Sequence, residues 1–257
     1  MLACFDLTGK VAFVTGASLG LGRAFAQALA RSGASLVLVA RRRKLLEDAA
    51  EEMRSYGADC ICACADIGDE AQVEAAVEAA VNRFGRIDIL VNNAAAGCIE
   101  KPIEENTAEE WDRMVHTNLV GPFIVAKAVG RQMICQRSGK IINVASIGGT
   151  VFNRINWPGA YETSKEGIKT LTKCLDANWN RYNINVNAIE PGYFMTDVNK
   201  RFYDEHPELL STVGQHIPCG RNGEPDELGP LCVLLASDGA SYMHGSVVRV
   251  DGGRTYW

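Results

Sequence analysis

Tyr161 and Lys165, in the run Gly159-Ala160-Tyr161-Glu162-Thr163-Ser164-Lys165-Glu166-Gly167, are the residues whose types and spacing speak most directly to chemistry. Residues four apart on a helix share one face and are neighbours on its surface. A phenol is a weak base at neutral pH, because its unperturbed pKa is ~10. An ammonium group held beside it favours the phenolate and draws that pKa down. The pair can therefore act as a proton-transfer device near neutral pH. Taken alone, the same spacing also describes an ordinary amphipathic helix carrying an aromatic residue and a solvated lysine. The surrounding chain decides between the two.

With 257 residues, 47% hydrophobic and 22% charged, the chain has the composition of a soluble globular protein and the length of one large α/β domain. A net charge of -5, with no basic tail or stripe, argues against nucleic acid as a partner. No apolar run has transmembrane length, and residues 1–10 lack the charged-then-apolar order of a signal peptide. A cytoplasmic location without membrane attachment is expected. Cys60, Cys62 and Cys64 alternate, so on a strand they face one side, and buried thiols are expected. Their spacing is not that of a zinc site and no histidine cluster accompanies them, so no metal is expected.

Short apolar runs alternate with longer helical patterns. Strands are predicted over 11–14, 35–39, 59–65, 87–91, 140–144, 185–189 and 246–250, with helices over about 23–32 and up to about residue 56. Near-continuous apolar strands separated by helices indicate a parallel sheet covered on both faces. The expected fold is therefore α/β, a doubly wound open sheet of about seven strands in one domain spanning residues 1–257.

Ligands of such sheets bind at the carboxyl ends of the strands. The loop after the first strand reads Thr15-Gly16-Ala17-Ser18-Leu19-Gly20-Leu21-Gly22. Its glycines allow a tight turn, and backbone N–H groups at the next helix start can approach a pyrophosphate. After the second strand come Arg41, Arg42, Arg43 and Lys44, where an NAD-binding chain would place an acid for the ribose. Four cations at a helix start oppose its dipole. A ribose 2′-phosphate would suit them, so NADP(H) is favoured over NAD(H), with Arg41 as clamp and Arg42 next. Asp66, followed by Ile67, either meets an adenine edge or caps a helix.

Thr15 to Gly22, Asn92-Asn93-Ala94, Asn118, Ser146, Tyr161 with Lys165, and Pro191-Gly192 resemble the short-chain dehydrogenase/reductase family in order and spacing. The resemblance spans essentially the whole chain, through Val250-Asp251-Gly252-Gly253. It implies a Rossmann fold and interconversion of an alcohol and a ketone by hydride transfer. Tyr161 would exchange the alcohol proton, and Lys165 would lower its pKa and hold the nicotinamide ribose. Ser146 would hold and polarise the substrate oxygen, and Asn118 would hold a relay water. The cofactor would meet Gly16, Ser18, Leu19, Gly20, Gly22, Arg41, Arg42, Asp66, Ile67, Asn93, Ala94, Tyr161, Lys165, Pro191, Gly192, Phe194 and Thr196. Ala177 to Tyr182 and Glu190 to Asp197 are most similar to gluconate 5-dehydrogenases and related polyol or 3-oxoacyl reductases.

Three departures stand out. Ala95 replaces the family's usual glycine, adding a methyl near the cofactor ribose. The segment from Thr150 to Pro158 is longer than usual and should border the substrate, with Arg154 able to meet a carboxylate. Leu19 lies where many NADP-using members carry a basic residue. The resemblance further implies a substrate lid over about 193–220 and a homotetramer, with Trp179, Tyr256 and Trp257 as apolar surface candidates. A sugar acid or polyol is the expected small-molecule substrate; a 3-oxoacyl or steroid-like substrate stays open. A non-catalytic nucleotide sensor would have lost Tyr161, Lys165 or Ser146, and a methyltransferase would carry an acid where Arg41 stands.

Overall fold

A computed structural model of the chain describes residues 2–99, 101–152, 159–205 and 215–256. All seven predicted strands form: β1 (Val11–Thr15), β2 (Ser35–Ala40), β3 (Cys60–Cys64), β4 (Ile89–Asn92), β5 (Gly139–Val144), β6 (Ile184–Pro191) and β7 (Val247–Val250). They pair in parallel in the order β3-β2-β1-β4-β5-β6-β7. Around them lie α1 (Gly20–Arg31), α2 (Arg43–Ser55), α3 (Glu70–Phe84), α4 (Ala108–Val115), α5 (Gly121–Gln136), α6 (Ala160–Trp179), α7 (Asp197–Glu205) and α8 (Gly229–Ala236). Among the described residues no helix is long and apolar enough to cross a membrane.

Strand side chains alternate between faces, and both faces are apolar. Ala12, Val14, Leu36 and Leu38 pack with Phe25 and Leu29 of α1, Leu46 and Met53 of α2, and Leu235 of α8. Val11, Phe13, Val37 and Val39 pack with Val73 of α3, Val125 and Val129 of α5, and Leu175 of α6. Burying one such side chain is worth roughly 1.5–3 kcal/mol. An exposed pair such as Arg43–Glu47 contributes at most about 1 kcal/mol. Packing, not surface charge, sets the sheet.

Two local expectations are corrected. Helix α1 starts at Gly20, three residues earlier than predicted, because glycine's low helix propensity hides the first turn from a periodicity reading. Along β3, burial falls away: Cys60 is buried, Cys62 is intermediate and Cys64 is exposed. The strand lies at the sheet edge, and its carboxyl end emerges at the loops.

The chain reverses direction of growth between β1 and β4, which makes a crevice at their carboxyl ends. Thr15 closes the floor of that crevice. Its buried hydroxyl donates to Val91 O (3.2 Å) and accepts from the N–H of Asn93 (3.0 Å) and Ala94 (3.1 Å).

Candidate active site

Strand β5 runs out at Val144, and Ala145 still pairs with Ile189 of β6 at 2.8 Å. Ser146 then begins a short turn, Ile147–Gly149, and its Oγ accepts the Gly148 N–H at 3.1 Å. Tyr161 lies in the first turn of α6, and its ring and Ser146 Oγ flank Gly148: a Cβ there would lie 3.3 Å from Ser146 Oγ and 3.5 Å from Tyr161 Cε1. Lys165 follows one turn later, 4% exposed, with Nζ donating to Val144 O at 2.8 Å and lying 5.9 Å from the Tyr161 ring centroid. The three expected residues are therefore gathered at the end of β5.

The electrostatics differ from the expectation that Lys165 draws the tyrosine down. Burial pushes the Tyr161 hydroxyl up to about 12, and the Ser146 hydroxyl opposes it without prevailing. Tyr161 as a whole keeps some exposure, so this is the environment of its hydroxyl end. Burial also drives Lys165 down to about 8. Loss of solvation is the largest cause of both displacements, because each charged form would be buried. Cys98, which sequence reasoning missed, and Tyr193, the first residue of the expected lid, stand near enough to Tyr161 to raise it further.

Asn118 sits in a π-helical turn, His116–Val120, between α4 and α5. Such turns often mark functional positions. Its side chain is engaged by the loop after β4: Oδ1 accepts from Ala96 N at 2.7 Å and Nδ2 donates to Ala96 O at 3.1 Å. It fastens the loop carrying Ala94 and Ala95. The methyl of Ala95 is exposed and its φ is not left-handed, so the departure from glycine is accepted without strain.

The glycine turn is built for close approach. Gly16 adopts φ +67°, and a Cβ there would lie 2.7 Å from Asn93 Nδ2 and 2.9 Å from Ala94 Cα. A Cβ on Gly22 would stand 2.2 Å from Gly16 O. At Gly20 an added Cβ meets only Thr196, at 3.5 Å. Leu19, the N-cap of α1, supplies no side-chain cap. The Gly20 N–H is instead taken by the Asp197 carboxylate at 3.2 Å. This helix start thus already accepts an acidic oxygen, so its donors fit a pyrophosphate. Ser18 is buried beneath the turn.

A cavity of about 1020 Å³ opens beside the ends of β2 and β3, walled by Arg41, Asp66, Cys98, Arg113 and His116 among others. Arg41 and Asp66 face each other at 3.6 Å. Arg42 is exposed at the N-cap of α2 and does not line this cavity; nor do Ser146 and Tyr161. The side chains of Ile67 and Phe194 are buried: Ile67 packs in the core beneath Gly121, and Phe194 packs in the opposite core against Gly223. Pro191 ends β6, and Gly192 N donates to Val250 O at 2.9 Å, abutting Asp251. Arg154, Trp257 and the middle of the expected lid lie outside the described residues.

A doubly wound parallel sheet with Ser, Tyr and Lys gathered at one strand end, beside a glycine turn, defines an oxidoreductase architecture. The model of a family described as enoyl-(acyl carrier protein) reductase matches residues 16–255. Galactitol 2-dehydrogenase (L-tagatose-forming) of Cereibacter sphaeroides is 38% identical over 254 residues, covering 98% of each chain. The gluconate 5-dehydrogenase of Burkholderia cenocepacia J2315, solved with NADP and tartrate, superposes with a TM-score of 0.91 at 35% identity, covering 99% of this chain and 98% of that one. A xylitol dehydrogenase bound to NAD+ superposes with a TM-score of 0.91 at 32% identity, covering 96% and 100%. The chain belongs to the short-chain dehydrogenase/reductase family and is an oxidoreductase of alcohols and ketones.

Proposed function

We propose that this protein is an NADP(H)-dependent dehydrogenase of a sugar acid or polyol, oxidising a secondary alcohol to a ketone and reversing the reaction. One observation carries the reading: Ser146 and Tyr161 flank Gly148 at the carboxyl end of β5, with Lys165 one helical turn away. The dinucleotide, when bound, supplies a hydride acceptor or donor at its nicotinamide ring. Ser146 orients the substrate oxygen. In oxidation Tyr161 takes the hydroxyl proton as the carbon gives up its hydride; in reduction Tyr161 returns that proton to the ketone oxygen. Lys165 lies one turn beneath Tyr161 and would reach the nicotinamide ribose. Gly16, Ser18, Leu19, Gly20 and Gly22 would receive the pyrophosphate, Arg41 with Asp66 the adenosine end, and Asn93, Ala94, Pro191, Gly192 and Thr196 the remainder.

The substrate class is supported by the printed activities of the similar galactitol and gluconate enzymes, and NADP by the arginine at the end of β2. A homotetramer in the cytoplasm is the assembly and location we infer by family likeness. A second reading is reduction of a 3-oxoacyl thioester; the description of the matching family model shares with it the acyl-carrier thioester but names reduction of a carbon–carbon double bond rather than of a ketone. The test is a panel of sugar acids, polyols, ketoacyl esters and steroids offered with NADP(H) and NAD(H), read by nicotinamide absorbance. Turnover of polyols or sugar acids with NADP(H) is expected. Turnover confined to ketoacyl esters, or to NAD(H), would overturn the corresponding part.

A further inference from the structure

Behind the catalytic wall lies a buried charge network that the chemistry above does not use. Glu190 is 2% exposed and immediately precedes Pro191 at the end of β6. Its Oε1 accepts from the Thr150 hydroxyl at 2.6 Å and from Lys169 Nζ; its Oε2 accepts from Arg249 Nε at 2.6 Å. Lys169 Nζ also donates to Thr150 Oγ1 at 2.5 Å and pairs with Glu166 at 2.8 Å. Arg249 of β7 continues to Thr255 at 2.7 Å. Two carboxylates thus face two cations. Burial works to raise Glu190, and the hydrogen bonds from Lys169, Thr150 and Arg249 hold it below its ordinary value.

A buried ion pair is seldom more stabilising than apolar side chains of the same volume. The α6–sheet seam already holds apolar Ile168 and Leu175 and the neutral Asn143–Thr172 hydrogen bond at 2.9 Å, so stability alone does not call for these charges. What hydrogen-bonded charges add is direction. Lys169 continues the stripe of Tyr161 and Lys165 at four-residue spacing on α6. Thr150 terminates the short turn that Ser146 begins, and its N–H donates to Ile147 O at 2.8 Å. The two arms of the reactive pair are therefore fastened to one carboxylate: Ser146 through Thr150, and Tyr161 through Lys169.

We infer that Glu190 is a positioning residue that sets the separation of Ser146 and Tyr161 through Thr150 and Lys169. Sliding α6 by one residue's rise, about 1.5 Å, would part Tyr161 from Ser146. Misplacement on that scale can cost about a hundredfold in rate. The kinetic half of this inference rests on the function proposed above; the structural half does not.

Glu190→Gln and Thr150→Val break the network while keeping shape, and Thr150→Ser restores the hydroxyl. Hydrogen exchange should quicken at least about fivefold at amides 147–151 and 160–165 in the first two, with β1 and α1 unchanged. With any substrate found for the parent, kcat should fall at least about tenfold, while dinucleotide Kd stays within about twofold and Thr150→Ser behaves as the parent. Unchanged exchange at both segments would overturn the inference, as would acceleration spread over the whole sheet. So would a Thr150→Ser variant as impaired as Thr150→Val. If the parent turns over no alcohol or ketone, the proposed function fails, and the exchange experiment still decides the positioning role.

Discussion

The carboxylate of Asp197, the first residue of α7, accepts the Gly20 N–H at 3.2 Å, at the start of α1. That carboxylate thereby occupies the donor that a pyrophosphate oxygen would use. Two like charges about 4 Å apart repel by roughly 1 kcal/mol in water. Asp197→Asn should therefore tighten NADP(H) about fivefold, measured by fluorescence titration. An unchanged or weaker Kd would mean that the carboxylate does not compete.

Tyr161→Phe should reduce turnover by about 10²–10⁴-fold while leaving dinucleotide binding intact. Since burial holds the hydroxyl up to about 12, Tyr161 keeps its proton across the neutral range. Alcohol oxidation, which needs the phenolate, should climb with pH through the alkaline range, whereas ketone reduction should not. Initial rates in both directions check the sign; a variant that retains activity would remove Tyr161 from the proton path.

Arg41 and Asp66 are both well exposed, with side chains 74% and 44% accessible at 3.6 Å. Such a pair is worth at most about 1 kcal/mol, so Arg41 is readily released to a phosphate. A charge-assisted hydrogen bond contributes about 1.5–3 kcal/mol. Arg41→Ala should weaken NADPH about ten- to a hundredfold and NADH far less. Equal losses in parallel titrations would refute a phosphate clamp.

Lys165 has its folded pKa lowered from 10.5 to about 8 by burial. Between those values this lysine binds more protons in the unfolded chain than in the folded one, so its own contribution to stability rises with pH across that window. Below about 8 the cost of burying the ammonium is fully present, on the order of 3 kcal/mol. Burial raises the thiols of Cys60 and Cys232, which cost stability as pH rises above about 9, so the Lys165 contribution is read as a difference. In denaturant melts from pH 7 to 10.5, the parent should gain stability relative to Lys165→Met as pH rises, and parallel curves for the two would contradict the burial account.

Much of this was legible in the chain itself. The strands follow from apolar runs, and in β1, β2, β4, β5 and β6 nearly every side chain is buried, a local signal that needs no partner. Ser146, Tyr161 and Lys165 were legible because each sits a few residues from a strand end or on one helix stripe. The first turn of α1 was hidden by its glycines.

The tertiary structure decided what depends on residues distant in sequence. Asp197 reaches Gly20 across 177 positions, and Glu190 meets Arg249 across 59. The side chains of Phe194 and Ile67 pack into the two opposite cores, which position in sequence does not reveal. Cys64 shares an alternating pattern with Cys60, but the sheet's edge leaves it exposed. The spacing of Tyr161 and Lys165 gave their adjacency, while the sign of the tyrosine's pKa displacement came from burial. Periodicity records which face of an element is apolar; solvation and long-range contact exist only once the elements have packed.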